Sequence, residues 1–99
     1  MSIKTDLYAM WGARATEAAK RMNETGYYSA EHTINRHKLD AYEDGCRLVH
    51  SAEGTGHLKN ALRRRMSNYF QRELRDFYAR MLNDVETALE GDDAKKEVR

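Results

Sequence analysis

The sequence predicts an all-α fold, an antiparallel three-helix arrangement with a long C-terminal helix that is either continuous or bent. The 99 residues include no proline, a residue that helix interiors exclude. Valine and isoleucine, which strands favour, occur only five times in total. Apolar residues recur at spacings of three and four along most of the chain, which is typical of amphipathic helices.

The first helix is predicted over about residues 5–22, and its core stripe consists of Leu7, Trp11, Ala15, Ala18 and Met22. Asn23 and Gly26 are expected to end it in the left-handed conformation. The loop that follows contains Tyr27 and Tyr28. We expect one of these tyrosines to cover the end of the core and the other to be available to a partner.

The second helix is predicted over about residues 30–52, with Ser29 as its N-cap. Gly45 lies in the middle of its apolar face, where glycine is unfavourable by about 1 kcal/mol relative to alanine unless close packing compensates. We therefore expect another helix to cross at Gly45. The remaining members of this face are Ile34, Ala41, Tyr42, Cys46, Leu48, Val49 and Ala52.

The last helix is predicted from the Glu53–Gly56 turn to about Glu90, where Gly91 ends it. Its large apolar residues recur every fourth position, so their stripe precesses by about 40° at each step. Either the helix breaks near Ser67 and Asn68, or different partners cover its two halves. Unbroken, about 34 residues would form a rod of about 50 Å, longer than a compact domain of this size, and would predict a dimer or docking on a larger partner.

Composition predicts one helical domain over residues 1–90 and a charged, disordered tail over residues 91–99. Hydrophobic residues are 40% of the chain, charged residues are 33%, and the formal net charge is +1. These values exclude a wholly disordered chain and a molecule that attracts nucleic acid through its overall charge. A single cysteine, Cys46, and the lack of an apolar run of membrane length predict a cytoplasmic protein that does not associate with membranes.

The charges of the last helix are ordered against its dipole, which favours acids at the start and bases at the end. Residues 57–75 include one acid, Glu73, and six bases (Lys59, Arg63, Arg64, Arg65, Arg72 and Arg75), whereas residues 83–93 include five acids and no base. One interpretation is an ordinary solvated face with accidental clustering; the others are that the charges face an antiparallel neighbour, either a second copy or a partner, or that they bind a nucleic acid or an acidic protein. Arg65 points toward the apolar side, where its guanidinium is expected to reach a carboxylate.

Arginines and aromatic side chains together are enriched at protein interfaces and at nucleic-acid sites. The candidate partner-binding residues are therefore Arg63, Arg64, Arg65, Tyr69, Arg72 and Arg75 of the last helix, together with Tyr27 and Tyr28 of the first loop.

Catalytic and metal chemistry have little support. Cys46 and His50 lie one helical turn apart, as two metal ligands or a nucleophile and its base would. The sequence offers neither a further ligand at matching spacing nor an orienting group. The acids Asp40, Glu43 and Asp44 are expected on a solvated face. We therefore expect no catalytic residue, no metal and no cofactor.

The leading expectation is a non-enzymatic protein–protein interaction protein, an adaptor or inhibitor that binds a larger macromolecule and can also form a homodimer. Small helical proteins of this general character are common among accessory proteins of phages and mobile elements, including blockers of host defence. The alternative is a nucleic-acid-binding protein that uses the arginine-rich start of the last helix.

Overall fold

Four α-helices and no strand make up the described part of the chain in this computed structural model. They are α1 (Ile3–Glu24), α2 (Ala30–Ser51), α3 (Thr55–Asn68) and α4 (Arg72–Glu97). The structure describes residues 3–68 and 72–97, with the side chains of α4 described as far as Gly91. No helix in these ranges is long and apolar enough to span a bilayer.

The all-α prediction is confirmed, but the prediction of three helices is wrong. The segment predicted as one C-terminal helix is divided, since α3 ends at Asn68 and α4 begins at Arg72. Of the two alternatives for this segment, the break near Ser67 and Asn68 is the one found. Because the apolar stripe precesses, one straight helix could not have kept all of it against one core. The predicted end at Gly91 is also wrong, since α4 continues through this residue to Glu97.

Helices α1 and α2 form an antiparallel pair. Trp11 lies against Gly45, and further along α1 the Met22 carbonyl lies 3.0 Å from the Nδ1 atom of His32, which is nearer the start of α2. A Cβ at Gly45 would lie 3.1 Å from a Trp11 ring carbon and 2.5 Å from the Met81 sulfur of α4. The predicted crossing at Gly45 is therefore confirmed, because only glycine lets three helices meet so closely there.

Helices α3 and α4 form a second antiparallel pair. Lys59 of α3 lies 3.9 Å from Glu86 of α4. Arg65 comes six residues after Lys59 and binds the same carboxylate as Tyr78, which comes eight residues before Glu86. The contacts therefore run forward along α3 and backward along α4. The segment thus folds back along itself, and the premise of a 50 Å rod with uncovered apolar residues is wrong. Its largest side chains in the core are Leu58, Leu62, Phe77, Tyr78, Met81 and Val85.

The shared carboxylate is that of Asp44 on α2, which joins three helices. It accepts hydrogen bonds from Arg65 Nε at 2.8 Å and from Tyr78 Oη at 2.7 Å. Burial alone raises the pKa of the Asp44 carboxyl, but the two hydrogen bonds, together with the positive charges of Arg65 and Arg47, outweigh it and hold the pKa below its ordinary value. The prediction that Arg65 reaches a carboxylate is confirmed.

A second carboxylate, that of Asp84 on α4, fixes α1. Its Oδ2 atom accepts hydrogen bonds from the indole nitrogen of Trp11 at 2.9 Å and from Arg14 at 2.6 Å. Trp11 is fully buried, as its position on the core stripe predicted. Since a buried indole N–H requires an acceptor, Asp84 satisfies a polar group that the core would otherwise leave unpaired.

Candidate functional site

The charge order of the last segment is explained within the chain. Antiparallel packing sets the basic helix α3 beside the acidic half of α4, where Lys59 faces Glu86, and Arg65 pairs with Asp44. The predicted antiparallel neighbour is thus α4 itself. Lys59 and Arg65 are therefore paired within the chain, and the expectation that they face a second copy or a partner is not supported.

Arg63, Arg64, Arg72 and Arg75 are exposed. Arg63 donates a hydrogen bond to Asn60 at 3.3 Å on its own helix, whereas Arg64 lines a shallow groove between α2 and α3. The candidate Tyr69 lies outside the described residues. Among the residues that are described, no hydrogen bond, ion pair or ring contact links these arginines to the first loop, but Leu74, two residues after Arg72, lines the same depression as Tyr27 and Tyr28.

Both tyrosines of the first loop are exposed, Tyr27 to 67% and Tyr28 to 94%. The expectation that one of them would cover the core is therefore wrong. They occupy the two central positions of a turn closed by the Ser29 amide, which donates to the Gly26 carbonyl at 2.9 Å. Their rings pack edge to face, with centroids 5.1 Å apart.

This turn is held rigidly between the two helices. The Ser29 hydroxyl donates to the Gly26 carbonyl at 2.7 Å and accepts from the His32 amide at 3.0 Å, which confirms Ser29 as the N-cap. The end of α1 was predicted wrongly, because no residue of the described chain is left-handed. Instead the Met22 carbonyl accepts from the Thr25 hydroxyl at 3.2 Å and lies against the His32 ring.

Two residues of α2 extend the exposed aromatic surface. His32 packs against the Tyr27 ring with centroids 5.3 Å apart, and Arg36 lies beside both tyrosines on a depression of about 480 Å³. We call Tyr27, Tyr28, His32 and Arg36 the tyrosine tip. Sequence reasoning missed His32 and Arg36, although their spacing of four at the start of the second predicted helix would have placed the two on one helical face next to the loop.

Three further large apolar residues are partly exposed: Tyr8 to 52%, Ile34 to 49% and Met10 to 39%. Ile34 was predicted to face the core, and this is wrong. It borders an open depression of about 390 Å³ where α1, α2 and α4 diverge. Tyr8 and Met10 lie on α1, well away from the tip.

Cys46 is half-buried on α2 beside the α1 backbone, with its thiol 3.8 Å from the Tyr8 carbonyl oxygen. Burial raises the pKa of the Cys46 thiol, and the nearby Glu43 carboxylate raises it further. A neutral thiol is a poor nucleophile and a poor ligand. His50 is exposed, and no three His, Cys, Asp or Glu side chains within the described ranges converge as a metal site would require. Asp40 and Glu43 are exposed, as predicted, whereas Asp44 binds Arg65 and Tyr78.

Comparisons of the chain with protein-family models, with curated proteins and with solved structures find no match.

Proposed function

We propose that this protein is a non-enzymatic interaction protein, an adaptor or inhibitor that binds a larger protein through the tyrosine tip. The observation that carries the proposal is the exposure of two adjacent aromatic rings, 67% for Tyr27 and 94% for Tyr28, at the end of a helical pair. Tyrosine and arginine are the residue types that most often dominate binding energy at protein interfaces. The tip combines them within a few residues.

Rigidity supports the same role. Hydrogen bonds from Ser29 and Thr25 hold the turn, and the His32 ring braces Tyr27. Binding therefore requires little ordering of the loop, and less of the binding free energy is lost to entropy. The two rings pack only against each other and His32, outside the core, whereas a partner that buries both of them would gain apolar contact and a place for two hydroxyls.

A protein is favoured over a nucleic acid as the partner. The arginine-rich second half of α3 retains Arg63 and Arg64 as exposed cations, whereas Arg65 is paired with Asp44. Arg63 and Arg64 are consecutive, so they leave the helix about 100° apart. A phosphate backbone is usually bound by several cations aligned along one face, and α3 offers fewer free cations on one face than its sequence suggested.

The test compares three tagged proteins at submicromolar concentration in extract of the source organism. They are the wild type, the double variant Tyr27→Ser/Tyr28→Ser, and the control Met10→Ser, which removes another exposed large side chain from α1. A protein that the wild type and the control retain, and that the tip variant loses, is then purified and its affinity measured directly. We expect each tip tyrosine to contribute about 2 kcal/mol, hence about a 30-fold change in Kd.

Two results would overturn the proposal. One is a partner retained equally by the tip variant, which would place binding elsewhere. The other is a salt-sensitive shift of DNA or RNA that Arg63→Glu/Arg64→Glu abolishes and the tip variant keeps, which would favour the nucleic-acid alternative. Thermal unfolding of each variant controls for loss of fold.

A further inference from the structure

The outer side of the α1–α2 pair carries a groove that no helix of the described chain covers. Its volume is about 500 Å³, and its lining includes Tyr8, Gly12 and Ala15 of α1 and Glu43, Cys46 and Arg47 of α2. α4 packs on the opposite side of this pair, where Met81 meets Gly45. Tyr8 stands at the wall of the groove with half of its surface exposed.

Gly12 forms part of the floor, and the packing of a single chain does not explain it. A Cβ built at Gly12 would meet no atom within 4 Å, in contrast to Gly45, where it would collide with Met81. A glycine in the middle of a helix is unfavourable by about 1 kcal/mol relative to alanine. Its lack of a side chain leaves room above α1 for a body that approaches from outside.

The charges beside the groove complement themselves. Glu43, Arg47 and His50 line the groove, and Asp40 lies one turn before Glu43 at the edge of the tip depression. All four are exposed on α2, and at 100° per residue they lie within about 80° of one another around the helix, a sector that also holds Arg36 of the tyrosine tip. Their signs along the helix are negative, negative, positive and, at His50, positive when protonated. If a second α2 lies antiparallel with its midpoint near residue 45, each Glu43 faces an Arg47 and each Asp40 faces a His50. A two-fold axis requires this kind of self-complementary pattern.

We propose that the α1–α2 groove is the interface of an isologous dimer in which a second copy of the chain packs antiparallel across it. Trp11 lies level with Gly45, so a two-fold axis at that level sets the α1 helices of the two copies antiparallel. The Tyr8 ring of each copy then lies opposite Gly12 and Ala15 of the other copy. The proposal does not depend on the proposed function. Joined to it, the dimer would present two tyrosine tips at opposite ends and so would be bivalent.

The size of the face indicates the strength of the dimer. A helix of 22 residues is about 33 Å long, and two packed helices are about 18–20 Å wide, so each copy offers about 600 Å². The total of about 1,200 Å² is at the lower limit of stable interfaces. We therefore expect a dimer that dissociates in the micromolar range.

Analytical ultracentrifugation of the full chain from about 1 to 500 µM tests the proposal through a charge swap. Glu43→Arg and Arg47→Glu each set like charges opposite one another in both halves, and each should weaken dimerisation by at least about tenfold. The double variant Glu43→Arg/Arg47→Glu restores opposite pairing and should return the Kd to within about threefold of the wild-type value. Arg63→Glu, an equal charge reversal on α3, is the matched control and should leave it unchanged.

A wild-type protein that stays monomeric to 500 µM would overturn the proposal. So would a dimer that either single reversal leaves unchanged, or a double variant no better than the single ones. A readout on the wild type alone guards against misfolded variants: the single cysteine, Cys46, lies near the proposed axis, so a short bismaleimide should join two copies. If a monofunctional maleimide labels Cys46 fully under the same conditions, failure to crosslink at a concentration where ultracentrifugation finds the dimer would place the interface elsewhere.

Discussion

Replacing Asp84 tests how the core fixes α1. The Oδ2 atom of Asp84 accepts from the buried Trp11 indole at 2.9 Å and from Arg14 at 2.6 Å. Asp84→Ala leaves the indole N–H without an acceptor, which costs about 1–3 kcal/mol. Arg14 is 37% exposed and keeps its hydrogen bond to Tyr42, so the loss of its ion pair adds only about 0.5–1 kcal/mol. The expected loss in the free energy of unfolding is about 3 kcal/mol.

The conservative change separates the two contributions. Asp84→Asn keeps a side-chain oxygen that can accept from Trp11 and removes the charge that pairs with Arg14, so it should cost about 1 kcal/mol. Glu86→Ala is the matched control, since Glu86 is exposed and makes a long ion pair of 3.9 Å with Lys59. It should change the stability by less than about 0.5 kcal/mol.

Urea unfolding followed by the fluorescence of the single tryptophan measures all three variants, and the melting temperature provides a second readout. For a domain of about 100 residues, 1 kcal/mol corresponds to about 4–8 °C. Asp84→Ala should therefore lower Tm by more than about 10 °C, and Asp84→Asn by roughly a third as much. A loss below about 1 kcal/mol for alanine, or equal losses for both variants, would refute the role assigned to the Trp11 hydrogen bond.

Three further predictions concern two glycines, an acid and a thiol. In thermal unfolding, Gly12→Ala should raise Tm by a few degrees because the added Cβ meets open space. Gly45→Ala should lower Tm because the added Cβ would lie 2.5 Å from the Met81 sulfur. Shifts of the same sign in the two variants would contradict the packing described. The pKa of Asp44 is lowered in the folded state from an ordinary 3.8, so its contribution to stability is present above about pH 4 and is lost as the pH falls through the folded pKa. Urea midpoints measured from pH 2 to 7 should therefore change less with pH in Asp44→Asn than in the wild type. Burial and the Glu43 carboxylate raise the pKa of the Cys46 thiol. At pH 8, Cys46 should therefore react with Ellman's reagent several-fold more slowly than glutathione does. An equal rate would mean that the thiol is not shielded.

Much of the fold was predictable because each signal was local. The stripe through Trp11, the N-cap at Ser29 and the crossing at Gly45 each depend on residues within one or two turns, and all are found. Arg65 was correctly expected to reach a carboxylate because its azimuth is fixed by the helix repeat. The identity of that carboxylate, Asp44, was out of reach because it is set by tertiary packing.

The errors arise where local signals permit two arrangements. The charge order of the last segment was compatible with an antiparallel acidic neighbour but did not specify whether that neighbour lay within the chain, and the break between α3 and α4 allows α4 to be that neighbour. Likewise, Tyr27 and Tyr28 lie next to one another in a turn, where no periodicity indicates which ring faces inward. The self-complementary charges beside Gly12 become visible only once α1 and α2 are paired.

The central claim is that the tyrosine tip binds a protein partner, and photo-crosslinking from the tip tests it most directly. A benzophenone amino acid in place of Tyr28 should crosslink one defined protein in extract of the source organism. Excess unlabelled wild-type protein should compete that product away, excess Tyr27→Ser/Tyr28→Ser should not, and the same probe at Arg63 should give no such product. If the probe at position 28 yields no competable product while the one at position 63 does, the partner binds elsewhere and the account is wrong.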